Sequence, residues 1–397
     1  MHSASETEFT KQDHLFMQRA ISLAKQGHFT TSPNPRVGCV IVNNGEIVGE
    51  GFHQKAGQGH AEVNALAMAG DQAKGATAYV TLEPCSHFGR TPPCAQGLIK
   101  AQVKHVISAM VDPNPQVSGR GIKMLEQAGI STQVGLLNQD ALALNPGFIK
   151  LMTTGLPFVR CKLAASIDGK TAMASGESKW ITGPEARKDV QRLRAQSCAV
   201  ITSAQSVIED SAKMNVRWSE LSQQTLIAQS IDESQLRQPI RVIIDTKNRL
   251  TPELALFQCA SPVIIIRKAI ENLHQWPHFV EQVECETVLA SDNDNALETP
   301  VERINLIALL KILAKRGLND VLVEAGHSLA GAFIEQNLVD ELTLYQAPKL
   351  LGAEGKSLVD MPTIEKLSDA KSLVINDLTM VGKDIRITAS IKNTKQS

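Results

Sequence analysis

The sequence predicts an α/β protein built as two domains. Three observations carry that expectation: stretches of helical and strand-like hydrophobic periodicity alternate along the chain, the alternation breaks once before the middle, and 397 residues exceed what one hydrophobic core usually fills.

In the first half, Leu15, Phe16, Ala20, Ile21 and Ala24 recur at helical spacing, and Val37 to Val42 is a short apolar run of strand character. Asn43-Asn44-Gly45 supplies a tight turn into a second strand, Ile47 to Phe52. A helix continues from His60 through Ala69, then come a strand at Ala78 to Leu82, a helix from Cys94 to Ala101, a strand at His105 to Met110 and a helix after Gly121. Asn-Pro-Gly at 145–147 and Thr-Thr-Gly-Leu-Pro at 153–157 interrupt the pattern, which sets a boundary between domains 1–150 and 151–397. The second half resumes with a strand from Phe158 to Ala165, a helix after Pro184, and strands at Ala199 to Thr202, Ile240 to Asp245 and Val263 to Ile266. A helix from Glu302 to Lys315 and a strand at Asp320 to Glu324 follow. The polar stretch Ala290 to Pro300 reads as a loop and Lys392 to Ser397 as a frayed tail, and no internal repeat is evident.

Composition narrows the function classes. Forty basic against forty-one acidic residues leave a formal charge of -1, and with 4% aromatic residues a nucleic-acid-tracking surface is not favoured. Seven scattered cysteines do not resemble a disulfide framework, Met1 to Lys11 lacks the apolar core of a secretory signal, and no apolar run is long enough to span a bilayer. The expectation is a cytoplasmic enzyme with no nucleic-acid or membrane partner.

The chemistry concentrates in His60-Ala61-Glu62, Pro84-Cys85 and Cys94. One imidazole and two thiolates can hold a zinc ion with its fourth tetrahedral position open to water, and a nearby carboxylate can move that water's protons, which is the apparatus of hydrolytic deamination. Two positions apart, His60 and Glu62 fall on nearly opposite faces of a regular helix, so they can share a site only if His60 stands at the helix start; Gly57 and Gly59 make that entry feasible. Pro92-Pro93 suits a helix start at Cys94, whose thiol should then ionise readily beside free N–H groups. The bland alternatives are cysteines packed as small hydrophobes, or a structural zinc with His87 as fourth ligand. In the second half, Val323-Glu324-Ala325-Gly326 reads as a strand ending in glycine before a helical stretch that contains Gly331, a geometry that brings backbone N–H groups to a dinucleotide pyrophosphate. No Gly-x-Gly-x-x-Gly follows a strand and no phosphate-loop Lys-Ser/Thr is present, so a Rossmann domain is not supported; Gly119-Arg120-Gly121 reads as a turn.

Several separated motifs together resemble the bifunctional deaminase-reductase family of riboflavin biosynthesis: Pro33-Asn34-Pro35-Arg36-Val37-Gly38, His60-Ala61-Glu62, the run from Thr81 through Pro84-Cys85 to Cys94, Asp112-Pro113-Asn114-Pro115, Lys162 to Lys170, Ser178 to Thr182, and Val323 to Gly326. The eight residues between Cys85 and Cys94 also separate this chain from nucleic-acid deaminases, which commonly place two there. The resemblance implies a cytidine-deaminase-like α/β/α domain followed by a dihydrofolate-reductase-like α/β domain. It implies that His60, Cys85 and Cys94 bind zinc, that Glu62 is the proton shuttle, and that Asn34, His53, Asp112 and Asn114 surround the pyrimidine and ribose. In the second domain it implies NADPH contacts from Ala164, Trp180, Ser206, Asp210, Thr246 and the loop Gly326, His327, Ser328, Leu329, Ala330, Gly331 and Ala332. Lys162, Ser178, Arg194, Met214, Arg217 and Glu324 would contact the phosphoribosyl substrate, where guanidinium groups suit a phosphate monoester.

The implied reactions are deamination of 2,5-diamino-6-(5-phosphoribosylamino)pyrimidin-4(3H)-one and NADPH-dependent reduction of its ribosyl group to ribityl phosphate, in a homo-oligomer acting on small-molecule phosphoribosylaminopyrimidines. Two departures from the family pattern, Ser211-Ala212 after Asp210 and His327-Ser328 after Gly326, imply a looser cofactor loop. The competing readings are a deaminase with a merely regulatory nucleotide-binding domain, a nucleic-acid base editor, and a non-catalytic zinc module.

Overall fold

The computed structural model describes residues 9–86, 92–115, 117–222, 231–271, 273–290 and 301–392. His87, most of the polar stretch 290–300, the tail after Lys392 and the first eight residues therefore lie outside the described residues. The chain divides into two compact units that change over between Gly155 and Leu156, with 231–235 grouping with the first.

The first unit opens with α1 (Lys11–Lys25), whose start is fixed by a reciprocal cap between Thr10 and Asp13. Strands β1 (Gly38–Asn43) and β2 (Glu46–Phe52) follow, then α2 (Ala61–Ala69), β3 (Thr77–Val80), α3 (Cys94–Lys100), β4 (His105–Ser108), α4 (Arg120–Gln127), β5 (Ser131–Val134), α5 (Asn138–Leu144) and α6 (Pro146–Thr154). Among the described residues the sheet runs β2-β1-β3-β4-β5; β1 is antiparallel to its neighbours, and β3, β4 and β5 are parallel. Asn44 and Gly45 both take positive φ, as a two-residue hairpin with the strand twist requires. Val40, Ile41, Ala78, Val80 and Ile107 of the sheet pack with Ala65, Leu98 and Leu125 of the helices in one core.

Two glycines place α2. A Cβ on Gly49 would lie 2.3 Å from the carbonyl of Ala65, and one on Gly51 2.4 Å from that of Ala61, so only glycine at alternate positions of β2 lets the alanine-lined face of α2 lie this close. Asn145-Pro146-Gly147, expected to break the pattern, instead opens α6. Pro146 occupies the first helical turn, where its missing N–H costs nothing, and the Asn145 side chain accepts from the Arg36 N–H at 2.8 Å and donates to the Arg36 carbonyl at 2.9 Å.

The second unit contains β6 (Phe158–Ser166), β7 (Lys170–Ala172), α7 (Pro184–Gln196), β8 (Ala199–Ser203), α8 (Ala204–Asp210), β9 (Ile240–Ile244), β10 (Val263–Arg267), β11 (Val280–Glu284), β12 (Thr287–Ala290), β13 (Val301–Ile304), α9 (Leu306–Lys315), β14 (Asp320–Glu324), α10 (His327–Glu335), β15 (Glu341–Ala347), β16 (Lys356–Ser357), β17 (Leu373–Val381) and β18 (Asp384–Ile391). Its main sheet runs β11-β10-β9-β8-β14-β6-β15-β18-β17 among the described residues, parallel as far as β15 and closed by an antiparallel hairpin. The helix expected from Glu302 begins only at Leu306: Val301–Ile304 pairs with β12, and Asn305 caps α9 by accepting from the amides of Ile307 and Ala308. Both units are α/β, the class the sequence predicts. No helix among the described residues is long and apolar enough to cross a membrane.

Candidate functional site

Three element termini meet in the first unit. His60 is the N-cap of α2 with extended backbone, the position at which it and Glu62 can face one site. Cys94 is the first residue of α3, after Pro93, and Cys85 follows the end of β3. One ligand atom from each of His60, Cys85 and Cys94 lies within 4.8 Å of the others, with the imidazole Nδ1 3.2 Å from the Cys94 Sγ and 3.6 Å from the Cys85 Sγ. Two sulfurs and one imidazole nitrogen at this spacing match the donor set of a tetrahedral zinc, and no fourth His, Cys, Asp or Glu among the described residues completes the cluster.

The thiols share a proton unequally. Cys85 is drawn down to about 4, first by the hydrogen bond from the Cys94 thiol, with help from His60 and from the Cys94 N–H, which donates to its Sγ at 3.3 Å. Cys94 is pushed up by that same hydrogen bond and by burial beside Glu62. The expectation that Cys94 ionises readily at a helix start is thus corrected for the metal-free centre: the free amide of α3 points at the neighbouring sulfur and stabilises the Cys85 thiolate. Glu62 is buried at 3% exposure, and desolvation, followed by the charge of Cys85, raises its carboxyl to about 7. Its carboxyl lies within hydrogen-bond reach of the Cys94 sulfur.

Two of the other predicted positions join this centre. The buried His53 ring lies edge-on to His60 at 5.3 Å, its Nδ1 3.2 Å from the Gly59 carbonyl and its Nε2 3.3 Å from the Asn34 amide. Burial lowers its pKa, so it is a neutral ring donating to Gly59 and accepting from Asn34. Asp112 is buried, and its Oδ1 accepts from the Asn114 N–H at 2.8 Å, an Asx turn that shapes the Asp-Pro-Asn-Pro loop.

A residue that motif reading passed over sits beneath this loop. Glu83, buried, accepts from the amides of Gly119 at 2.9 Å, Gly121 at 2.8 Å and Asp112 at 3.1 Å. The Gly-Arg-Gly run expected to be a turn is the N-terminus of α4 wrapped on this carboxylate, with Gly119 in the left-handed region. The available signal was an acidic residue just beyond the apolar run of β3, directly before Pro84-Cys85.

In the second unit, β9, β8, β14 and β6 are adjacent and parallel, so Thr246, Ser206, Gly326 and Ala164 lie on or just beyond neighbouring strands near their C-terminal ends, where open α/β sheets place ligands. Gly326 caps α10 with open space where a Cβ would stand and no side-chain cap, which leaves the first amides of His327, Ser328 and Leu329 for an anion. These features fit a dinucleotide phosphate. Ala330 and Gly331 are buried instead, and a Cβ on Gly331 would lie 1.9 Å from the Asp360 carbonyl, so this glycine serves packing. Trp180 is 62% exposed with Arg187 stacked at 4.5 Å, which removes a core role for it. Asp210 ends α8, is ion-paired with Lys179 and is followed by Ser211 at positive φ; Ser178 is exposed.

Arg194 and Glu324, both expected at the phosphoribosyl substrate, are paired with each other. The Arg194 fork is bidentate to Glu324, with Nε to Oε2 at 2.8 Å and Nη2 to Oε1 at 2.9 Å, while Nη1 donates to the Asn215 carbonyl and Nη2 lies against the Met214 sulfur. Burial pushes Glu324 up, but the charge and hydrogen bonds of Arg194, with Lys162 and Arg217, hold it at about 2. Lys162 pairs with Glu324 across β6 and β14, and burial lowers its pKa. Arg217 is half-exposed and bidentate to Glu220 at 2.6 and 2.7 Å.

Comparison with known proteins gives a consistent set of likenesses. Residues 10–110 match the cytidine and deoxycytidylate deaminase zinc-binding region, and residues 157–384 match the RibD C-terminal domain. The chain is 51% identical over 385 residues to the riboflavin biosynthesis protein RibD of Haemophilus influenzae, covering 97% of this chain and 99% of the relative. It is also 51% identical to that of Escherichia coli, covering 94% and 98%. Among solved structures, Acinetobacter baumannii RibD superposes with a TM-score of 0.85 at 44% identity, covering 96% of this chain and 99% of that one. A Thermotoga maritima diaminohydroxyphosphoribosylaminopyrimidine deaminase/5-amino-6-(5-phosphoribosylamino)uracil reductase superposes at 0.80 with 30% identity and the same coverage.

Proposed function

The chain belongs to the RibD family and is a bifunctional deaminase-reductase of riboflavin biosynthesis, using zinc and NADPH; on that premise we propose how its own residues divide the two reactions. The first unit, 1–150 in sequence terms, deaminates the diaminopyrimidine, and 151–397 reduces the ribosyl side chain.

His60 through Nδ1, with Cys85 and Cys94 as thiolates, would hold the zinc, which when bound acidifies water and polarises it for attack on a ring carbon. Glu62 lies at the same centre, buried beside Cys94, and is the group that takes the water's proton, delivers it to the ring nitrogen and then assists departure of ammonia. A neutral His53 with Asn34 presents fixed polar edges to the pyrimidine, and the Asp112–Asn114 loop presents them to the ribose.

In the second unit NADPH supplies the hydride. The strand ends at Ala164, Ser206, Thr246 and Gly326, with the amides that open α10, orient the cofactor, and Trp180 and Asp210 border it. Lys162, Ser178, Arg194, Met214, Arg217 and Glu324 line the substrate side, with Arg194 also holding Glu324 and the Asn215 carbonyl. We further place the enzyme in the cytoplasm, in keeping with seven free cysteines, and as a homo-oligomer, in keeping with the outermost strand β17, which exposes Val374, Ile375, Leu378 and Met380.

The convergence of His60, Cys85 and Cys94 around Glu62 carries the reading. Its test is sequential: zinc-loaded protein is given the diamino substrate and ammonia is followed, then NADPH is added. Ammonia release followed by NADPH oxidation, with two successive product masses, is expected; ammonia without NADPH oxidation would leave the second unit a nucleotide-binding regulator.

A further inference from the structure

We propose that Glu83 is a positioning residue for the deamination, a carboxylate clamp that holds the metal ligand Cys85 and the Asp112–Asn114 loop in one rigid frame; this rests on the deaminase reading above. Glu83 stands two residues before Cys85 and three beyond the end of β3, in the segment that joins them. Among the described residues its carboxylate forms no ion pair. Its Oε2 instead accepts from the amides of Asp112 at 3.1 Å and Gly119 at 2.9 Å, and its Oε1 from those of Gly121 at 2.8 Å and Ile122 at 3.4 Å. Its own N–H donates to the Met110 carbonyl at 3.0 Å. One buried anion thus satisfies the N-terminus of α4 and the first amide of the substrate loop together.

The connections continue on both sides. Asp112, held through its backbone by Glu83, uses its carboxylate to hold Asn114 at 2.8 Å. Cys85 accepts through its carbonyl from the Ala95 N–H at 3.2 Å and through its Sγ from the Cys94 N–H at 3.3 Å, so the segment Glu83-Pro84-Cys85 also fixes the start of α3. A Cβ on Gly121 would lie 1.9 Å from the Pro84 carbonyl, which shows how tightly α4 is drawn onto the segment. A carboxylate accepts at every lone pair, whereas an amide in its place would turn an N–H against one pair of these donors and release either the 112 loop or α4. Groups that orient metal ligands and neighbouring loops act at such distances because small displacements of a ligand or a substrate contact are costly.

The test uses the full-length, zinc-loaded protein and Glu83→Gln, with three readouts: KM for the diamino substrate, the rate at which a competing chelator removes zinc, and NADPH oxidation on the deaminated intermediate as an internal control. A rise of about 10- to 100-fold in KM or in the zinc-release rate is expected, with the reductase rate unchanged. A carboxylate that only stabilised the fold would lower the unfolding temperature of the unit and leave KM and zinc release at wild-type values; that result overturns the proposal. Should Glu83→Gln fail to fold in its first unit, Gly121→Ala perturbs the same clamp from the side of α4, and wild-type KM and zinc release in that variant would likewise overturn it. A wild-type protein that released no ammonia would count against the deaminase reading, while the zinc-release comparison would still decide the role of Glu83.

Discussion

Replacing Arg194 by Met should destabilise the second unit and reverse how it responds to acid. The Arg194 side chain is 9% exposed and that of Glu324 17%, so deleting the guanidinium leaves a carboxylate stranded in the interior, a loss of about 3–5 kcal/mol. The wild-type pair contributes through linkage as well. Holding Glu324 at about 2 rather than the ordinary 4.5 is worth about 3 kcal/mol at neutral pH. Because the folded value is depressed, that stability is fully present above 4.5 and is lost as pH falls towards 2. In Arg194→Met, burial pushes Glu324 up against only Lys162 and Arg217, so protonation relieves the penalty and the deficit relative to wild type narrows on acidification. The assay is urea unfolding of the intact chain followed by tryptophan fluorescence, since Trp180, Trp218 and Trp276, all three tryptophans, lie in the second unit. A loss under about 1 kcal/mol at neutral pH, or a deficit independent of pH, would refute the reasoning. Either would mean that the pair is solvated rather than interior.

Glu62→Gln should retain zinc by elemental analysis and lose about 10²- to 10⁴-fold in ammonia release, with NADPH oxidation on the deaminated intermediate intact; near-normal ammonia release would contradict the proton-shuttle role. Removing the metal with a chelator should abolish the first reaction and leave the second, and a parallel loss of both would argue that the units do not act separately. Trp180→Ala, at an exposed position, should leave the unfolding midpoint within about 0.5 kcal/mol of wild type while raising KM for NADPH; an unchanged KM would remove Trp180 from the cofactor face.

Local signals made most of the first unit legible. The hairpin at Asn44-Gly45, the helix starts at His60 and Cys94 and the strands β1, β3 and β4 each depend on a turn, a cap or an apolar run contained within a few residues. What escaped the sequence is set by partners far along the chain. Val301–Ile304 is a strand because β12 pairs with it, although its residues continue the helical pattern of α9 until Asn305 caps that helix. Strands β17 and β18 carry weak alternation because the outer strand buries little, so periodicity had no core face to report. The pairing of Arg194 with Glu324 escaped the sequence because nothing near Arg194 announces a partner 130 residues away.

The metal centre shows why spacing conveyed its chemistry better than its electrostatics. His60, Cys85 and Cys94 each sit at the end of an element, and the N-termini of α2 and α3 both point their positive ends into the site, where two thiolates need compensation. That arrangement depends on Gly49 and Gly51 admitting α2 to the surface of β2, and on the Cys94 amide serving Cys85 rather than its own sulfur. With two thiolates balancing a dication, Glu62 is left as the one uncompensated carboxyl at the centre, buried where a proton is held or released according to what charge develops beside it. A motif can name the ligands, but the hydrogen bonds that set the charge on their sulfurs, first between the two thiols and then from His60 and the Cys94 N–H, are a property of the fold.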